Sequence, residues 1–138
     1  MAQPNTPGAL PLSIKLAAAL FVIYGVAVVL NAAIMQSAAG WLTARDIPRA
    51  FIRLFGAGLI AWGLLHRARW AWWLGLIVAL LWLAAGVMTL FVLERGDVYW
   101  LPPSGFQAFL VVSFLSLGLA IALLLSPAAR EAFRRPAA

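Results

Sequence analysis

The sequence contains no cysteine and only one histidine among its 138 residues. Without thiols the chain forms no disulfide bond, no thiolate metal site and no cysteine nucleophile. The one histidine, His66, lies beside Arg67 in a short polar segment, and a lone histidine without clustered carboxylates does not make a metal or haem site. We therefore predict no metal and no cofactor, and we interpret His66 as a polar residue that faces the lipid headgroups.

Charge is also scarce, since only 10% of the residues are charged and 65% are hydrophobic. An ordinary soluble domain has about 25% charged and about 45 to 50% apolar residues. The 10 basic and 4 acidic residues are too few to cover the surface of a soluble globule of this length. An unfolded chain, conversely, does not keep so much apolar surface in water. The composition therefore predicts an integral membrane protein.

The few charged residues divide the chain into four apolar blocks. A helix rises about 1.5 Å per residue, so about 20 residues cross the hydrocarbon layer of a membrane. The predicted spans are residues 14–39, 48–65, 70–93 and 106–125. We predict an all-α integral membrane protein, a four-helix bundle that forms a single transmembrane domain over residues 1–138. A flexible tail is expected at residues 1–11 and a basic interfacial tail at residues 127–138.

The second block is the shortest of the four. Its charge-free stretch, residues 54–65, gives only about 18 Å of helix. A helix that starts at Pro48, with Asp46 or Thr43 as its cap, is about 27 Å long. The added turn places Arg53 inside the span.

A secretory signal peptide is the alternative interpretation of the first block. Lys15 precedes the apolar run, and residues 37–39 resemble a cleavage site. The run is longer than the 7 to 15 residues that are usual for the apolar part of a signal peptide. We therefore favour a membrane-spanning helix.

The basic residues predict an orientation. Four spans place both termini and the loop between the second and third helices on one side of the membrane. The basic residues on that side are Lys15, Arg67, Arg69, Arg130, Arg134 and Arg135, and those on the other side are Arg45, Arg49, Arg53 and Arg95. The positive-inside rule then predicts that the termini are cytoplasmic. The six basic residues of the first group are expected to contact lipid headgroups on that side. Phe133 is expected to anchor the C-terminal segment in the lipid interface.

Tryptophan and tyrosine, which prefer the headgroup layer, agree with these boundaries. Trp70, Trp72 and Trp73 open the third span, and Trp41, Tyr99 and Trp100 lie at the opposite boundary. Arginine greatly outnumbers lysine, and alanine and leucine are abundant, a composition that suits a GC-rich bacterium. We therefore expect a multi-pass protein of the cell inner membrane.

Acidic side chains are absent from the interior of the long apolar blocks. The four carboxylates are Asp46, Glu94, Asp97 and Glu131. A proton-coupled transporter needs a titratable group at membrane depth, and general acid–base catalysis needs a suitable pair, so these positions argue against both. No Gly-rich phosphate loop or nucleophile elbow is present. Ser113 and Ser116 are expected to hydrogen-bond to their own helix backbone, and we predict that the protein is not an enzyme.

Arg45, Arg49 and Arg53 are spaced by four residues. All three share one face if the helix begins before Pro48, and Arg49 and Arg53 still do if it begins at Pro48. A charge in the hydrocarbon costs about 2.5 to 3.5 kcal/mol unless it snorkels to the rim or finds a partner. Two interpretations of Arg53 follow: a rim charge, or part of a polar cavity in the outer half, where Glu94 or Asp97 neutralises Arg53 or Arg49. The residues predicted to form the cavity are Asn31, Gln36, Arg49, Arg53, Thr89, Glu94 and Gln107.

Two classes of function remain. The first is a non-enzymatic interaction, accessory or lipid-contacting protein, whose partners are membrane lipids, another membrane subunit or a second copy of the chain, and not nucleic acid. Small residues at four-residue spacing, such as Ala57 and Ala61, favour close helix packing within the bundle or against another subunit. The alternative is a small oligomeric channel or uniporter for an ion or small solute. Its path would be lined by Asn31, Thr89, Ser113 or Ser116.

Overall fold

The structure, a computed structural model, describes residues 9–39, 46–95 and 104–134, and every regular element in these ranges is a helix. The helices are α1 (Leu12–Ala39), α2 (Asp46–Leu65), α3 (Arg69–Arg95), α4 (Ser104–Leu124) and α5 (Pro127–Arg134). The first four each contain a stretch that is long and apolar enough to cross a membrane. The prediction of an all-α bundle with four candidate spans is confirmed.

The second span does extend back beyond its charge-free stretch. Helix α2 begins at Asp46, so Pro48 lies in the first turn, where a missing N–H group leaves no hydrogen bond unmade. The candidate span Ile47–Leu65 has 19 residues. Arg53 is therefore about 10 Å from the start of the helix.

The four long helices form a ring in which each packs against two neighbours. Helix α1 packs against α2 and α4, and α3 packs against the same two helices from the opposite side. Helix α1 approaches α2 closely at Gly25, where an added Cβ would lie 3.3 Å from Leu54 Cα. Residues 24 and 25 of α1 are thus level with residues 53 and 54 of α2.

A tight turn joins α2 to α3. Arg67 adopts a left-handed conformation with φ of 54°, and its N–H group donates to the Leu64 carbonyl at 3.1 Å. The Ala68 N–H group donates to the Gly63 carbonyl at 2.9 Å. These two bonds form a Schellman motif, which satisfies carbonyls at the end of α2 and reverses the chain.

Helix α5 folds back onto the bundle. The Ser126 hydroxyl accepts a hydrogen bond from the Ala129 N–H group at 3.3 Å, and Pro127 occupies the first helical position. At the other end, Arg69 donates to the carbonyls of Phe133 and Arg134, each at 3.1 Å. Both ends of this short helix are therefore fixed by side chains.

The expectation that Phe133 anchors the C-terminal segment in lipid is wrong. Its side chain is only 7% exposed and packs against Trp72, with ring centroids 6.4 Å apart. The Trp72 indole N–H group in turn donates to the Leu124 carbonyl at 2.9 Å. Trp72 thus joins the start of α3, the end of α4 and the inner face of α5, and offers Phe133 a protein surface.

The two halves of the bundle are packed differently. We call the half that contains the starts of α1 and α3 and the ends of α2 and α4 the closed half, and the other the open half. Most of the buried core lies in the closed half, where alanines such as Ala17, Ala57 and Ala120 let the helices approach closely. In the open half the side chains of α3 from residue 84 onward are exposed, except for Gly86 and the undescribed residue 93.

The Gly63 position tests the close packing of α2 against α3. A Cβ atom added at Gly63 would lie 2.5 Å from Ala71 Cβ, whereas one added at Gly58 on the same helix meets nothing within 4 Å. We expect Gly63→Ala to lower the free energy of unfolding by about 1 to 3 kcal/mol, the usual cost of overpacking. Reversible unfolding in mixed micelles measures it, with Gly58→Ala as the control. Equal stability of the two variants would contradict the packing described here.

Candidate functional site: a cavity in the open half

A cavity of about 310 Å³ lies between the four long helices in the open half. All four helices contribute to its wall. Its polar lining residues are Tyr24, Asn31, Arg49, Arg53, Thr89 and Ser113. No acidic residue of the described part of the chain lines it, so the cavity carries an excess of positive charge.

Bulky aromatic side chains lie between the helices at the inner end of the cavity. Tyr24 and Trp82 stack across the centre of the bundle, with ring centroids 4.8 Å apart and planes at 25°. Both lie near the middle of their candidate spans, Leu12–Ile34 and Arg69–Val92. On the open side of this pair the Phe114 ring fills the space beside Gly86, with 3.2 Å between a ring carbon and an added Cβ. The aromatic side chains hold the helices apart and leave a space between them.

Arg53 lies at the side of this cavity and interacts with another helix. Its guanidinium group lies close enough to the Tyr24 hydroxyl to hydrogen-bond with it, and the residue remains exposed. Since Arg53 and Tyr24 are level in the bundle, the charge is held at that depth by a neutral partner. A hydroxyl solvates a guanidinium group without neutralising it.

Two buried polar atoms of the cavity wall have no hydrogen-bond partner within the described residues. They are Asn31 Oδ1 on α1 and Ser113 Oγ on α4. The expectation that Ser113 hydrogen-bonds to its own helix backbone is therefore wrong. Thr89, by contrast, donates its hydroxyl to the Ala85 carbonyl of its own helix at 2.9 Å. Unpartnered buried polar atoms are rare in native proteins, and both of these belong to residues that line the cavity.

The structure brings together four of the seven residues predicted to form the cavity: Asn31, Arg49, Arg53 and Thr89. Glu94 and Gln107 are exposed and are not among the lining residues. The side chain of Gln36 lies outside the described residues, as do Asp97 and Arg45.

Tyr24 and Trp82 were not predicted as cavity residues. The signal for both is in the sequence, because amphipathic aromatic residues prefer the membrane interface and these two lie near the centre of an apolar block. Of the residues considered for a channel path, Ser116 is buried in the closed half and does not line the cavity. Fully buried apolar side chains, including Phe21, Ile60 and Leu124, fill the closed half.

The residues predicted to contact lipid headgroups are distributed over the closed end. Lys15, Arg130 and Arg134 are exposed, and Arg135 lies outside the described residues. Arg67 donates to the Ala9 carbonyl at 3.0 Å, and Arg69 donates to α5 as described above. His66 Nδ1 lies 2.8 Å from the Trp62 carbonyl oxygen, and its ring lies over that indole at 4.5 Å.

The architecture is that of a multi-pass helical bundle with four candidate membrane spans and a polar cavity at one end. The chain matches no protein-family model, no curated protein and no solved structure. The geometry of the cavity is therefore the basis for any functional proposal.

Ser113 provides a test of the unpartnered cavity wall. Removing a buried hydroxyl that makes no hydrogen bond removes a desolvation penalty, so we expect Ser113→Ala to unfold at the same temperature as the wild type or higher. The matched control is Ser126→Ala, which removes the cap of α5 and is expected to cost about 1 kcal/mol. Thermal unfolding in detergent compares them. A loss at Ser113 as large as that at Ser126 would show that Ser113 has a structural partner.

Proposed function

We propose that the protein is a non-enzymatic membrane protein that binds the headgroup of an anionic lipid in the open-half cavity. One observation carries the proposal: Arg49 and Arg53 line a cavity that has no acidic lining residue among those described. A guanidinium group binds phosphate through paired, charge-assisted hydrogen bonds. A phosphate is therefore the group that best complements this wall.

The two unpartnered polar atoms of the cavity wall add hydrogen bonding to the charge complementarity between the cavity and a phosphate. Asn31 Oδ1 is an acceptor, so it requires a donor on the ligand, and the Ser113 hydroxyl both donates and accepts. A phosphate that carries a glycerol group supplies both functions, because its hydroxyls donate to the amide oxygen while its oxygens accept from arginine. The chemistry favours a phosphatidylglycerol-type headgroup over a zwitterionic one, whose cationic group the two arginines repel.

The size of the cavity supports a headgroup rather than a whole lipid. Its volume of about 310 Å³ is at the small end of the range of about 300 to 1,000 Å³ that is usual for ligand pockets. The acyl chains would lie outside it, along exposed apolar side chains of α3 such as Met88 and Phe91. Trp82 and Phe114 form the apolar wall beside the headgroup.

The charge distribution supports a proposed location. The excess of basic residues at the closed end favours cytoplasmic termini, so we propose that the cavity faces the outer leaflet of a bacterial inner membrane. An anionic lipid of that leaflet, or a partner protein that carries one, is the expected interaction partner.

Native mass spectrometry of protein released from mixed phosphatidylglycerol and phosphatidylcholine bilayers tests the proposal. We expect Arg53→Gln to lose one phosphatidylglycerol molecule that the wild type retains, with an affinity for that lipid about 10- to 100-fold weaker, the usual contribution of a hydrogen bond to a charged group. Phosphatidylcholine is not expected to replace it.

Arg95→Gln is the matched control, because it removes one charge from the exposed C-terminal end of α3, outside the cavity lining. Unchanged lipid retention in Arg53→Gln, or equal loss in Arg95→Gln, would contradict a specific site. Ion flux through liposomes that contain the purified wild-type protein would also contradict the proposal and would favour the channel.

A further inference from the structure

A second basic cleft lies at the opposite end of the molecule, between the start of α3 and α5. It has a volume of about 450 Å³ and is separate from the open-half cavity. Its lining residues are Arg69, Trp72, Trp73, Arg130, Phe133 and Arg134. We infer that this cleft is a binding site for the phosphate group of an anionic lipid in the leaflet at the closed end.

The charge of the cleft is the first argument. Three of its six lining residues are arginines, and no carboxylate of the described residues is among them. Arg130 and Arg134 are one helical turn apart on α5, where like charges repel each other, and Glu131 between them in sequence offsets only one of the three arginine charges. A phosphate bound between the two guanidinium groups attracts both of them and offsets their mutual repulsion.

The rigidity of α5 is the second argument. Ala129 and Phe133 are buried against the bundle, and the Ser126 cap and the Arg69 side chain hold the two ends of the helix. The backbone positions of Arg130 and Arg134 are therefore fixed relative to Trp72 and Trp73. Two arginines on a docked helix lose less conformational entropy on binding than two arginines on a free tail.

Arg69 contributes to both the fold and the cleft. A guanidinium group has five N–H donors. Nε and Nη2 each donate to a carbonyl of α5. The remaining donors, on Nη1 and Nη2, are available on a residue that also lines the cleft.

The depth of the cleft points to a lipid rather than to a soluble phosphate. The candidate span of α3 begins at Arg69, so the arginines lie where the apolar segment starts, at the level of a headgroup. Trp73, which is 62% exposed, lies about one helical turn further into the candidate span than Arg69. Its indole provides an amphipathic surface for the glycerol and upper acyl region of a lipid whose phosphate contacts Arg130 and Arg134.

The test uses Arg130→Gln/Arg134→Gln, because both side chains are exposed and neither holds α5 in place. We expect the double variant to lose one retained phosphatidylglycerol in native mass spectrometry and to unfold at the wild-type temperature. The control, Lys15→Gln/Arg95→Gln, removes the same charge from exposed positions that do not line the cleft and is expected to retain the lipid.

Equal lipid loss in the control would overturn the proposal, since the change in net charge alone would then explain the loss of lipid. Displacement of the lipid by millimolar glycerol 1-phosphate would overturn the lipid assignment in favour of a soluble phosphate. Arg53→Gln is expected to keep the lipid of this cleft. The two variants therefore report on the two sites separately, and failure at one end leaves the result at the other intact.

Discussion

A guanidinium group two turns inside a membrane-spanning helix must be solvated by something other than hydrocarbon. Arg53 is such a group, and a bare charge at that depth costs about 2.5 to 3.5 kcal/mol. The Tyr24 hydroxyl solvates it in part but brings no negative charge. The positive charge therefore remains in the cavity wall, and with it the requirement for water or an anion. The proposed function follows from that requirement.

The difference in packing between the closed and the open half allows a charged side chain at the position of Arg53. Small residues in the closed half, together with Gly25 and Gly63, let the helices meet closely and form an apolar core. The Tyr24–Trp82 pair near the middle of the spans ends that close packing. From this pair to the C-terminal end of α3, the side chains of α3 are mostly exposed, and the space between the four helices forms the polar cavity. One half thus holds the fold together, and the other contains the cavity for which we propose a binding role.

Much of the fold was predictable because charge and hydropathy are local properties. The four spans, the extension of α2 past Pro48 and the shared face of Arg49 and Arg53 all follow from spacing along the chain. The residues that contact Arg53 could not be predicted from this spacing. Glu94 was expected to face it, but the exposed end of α3 leaves that carboxylate outside the cavity, while Tyr24 on α1 reaches the arginine. Such pairings depend on helix rotation and separation, which a single sequence does not encode locally.

The packing of α5 is a second feature that the local sequence pattern did not predict. Its basic, amphipathic sequence is typical of a helix that lies on lipid, and that pattern does not reveal that Trp72 and Arg69, about 60 residues earlier, complete a protein surface for it. At both ends of the molecule, arginine and tryptophan line a recess, and no carboxylate of the described residues is among the lining residues.

The central claim, an arginine-lined cavity that admits anions, is tested most directly by thiol labelling, for which the cysteine-free chain is well suited. Thr89→Cys lines the cavity, whereas Met88→Cys, next to it on α3, is exposed but does not. Rates of modification by anionic and cationic methanethiosulfonates are compared after normalisation to a free thiol. The account predicts that Thr89→Cys prefers the anionic reagent, that Arg53→Gln weakens this preference, and that Met88→Cys shows none. Equal behaviour of the two cysteine variants, or a preference that Arg53→Gln leaves unchanged, would contradict it.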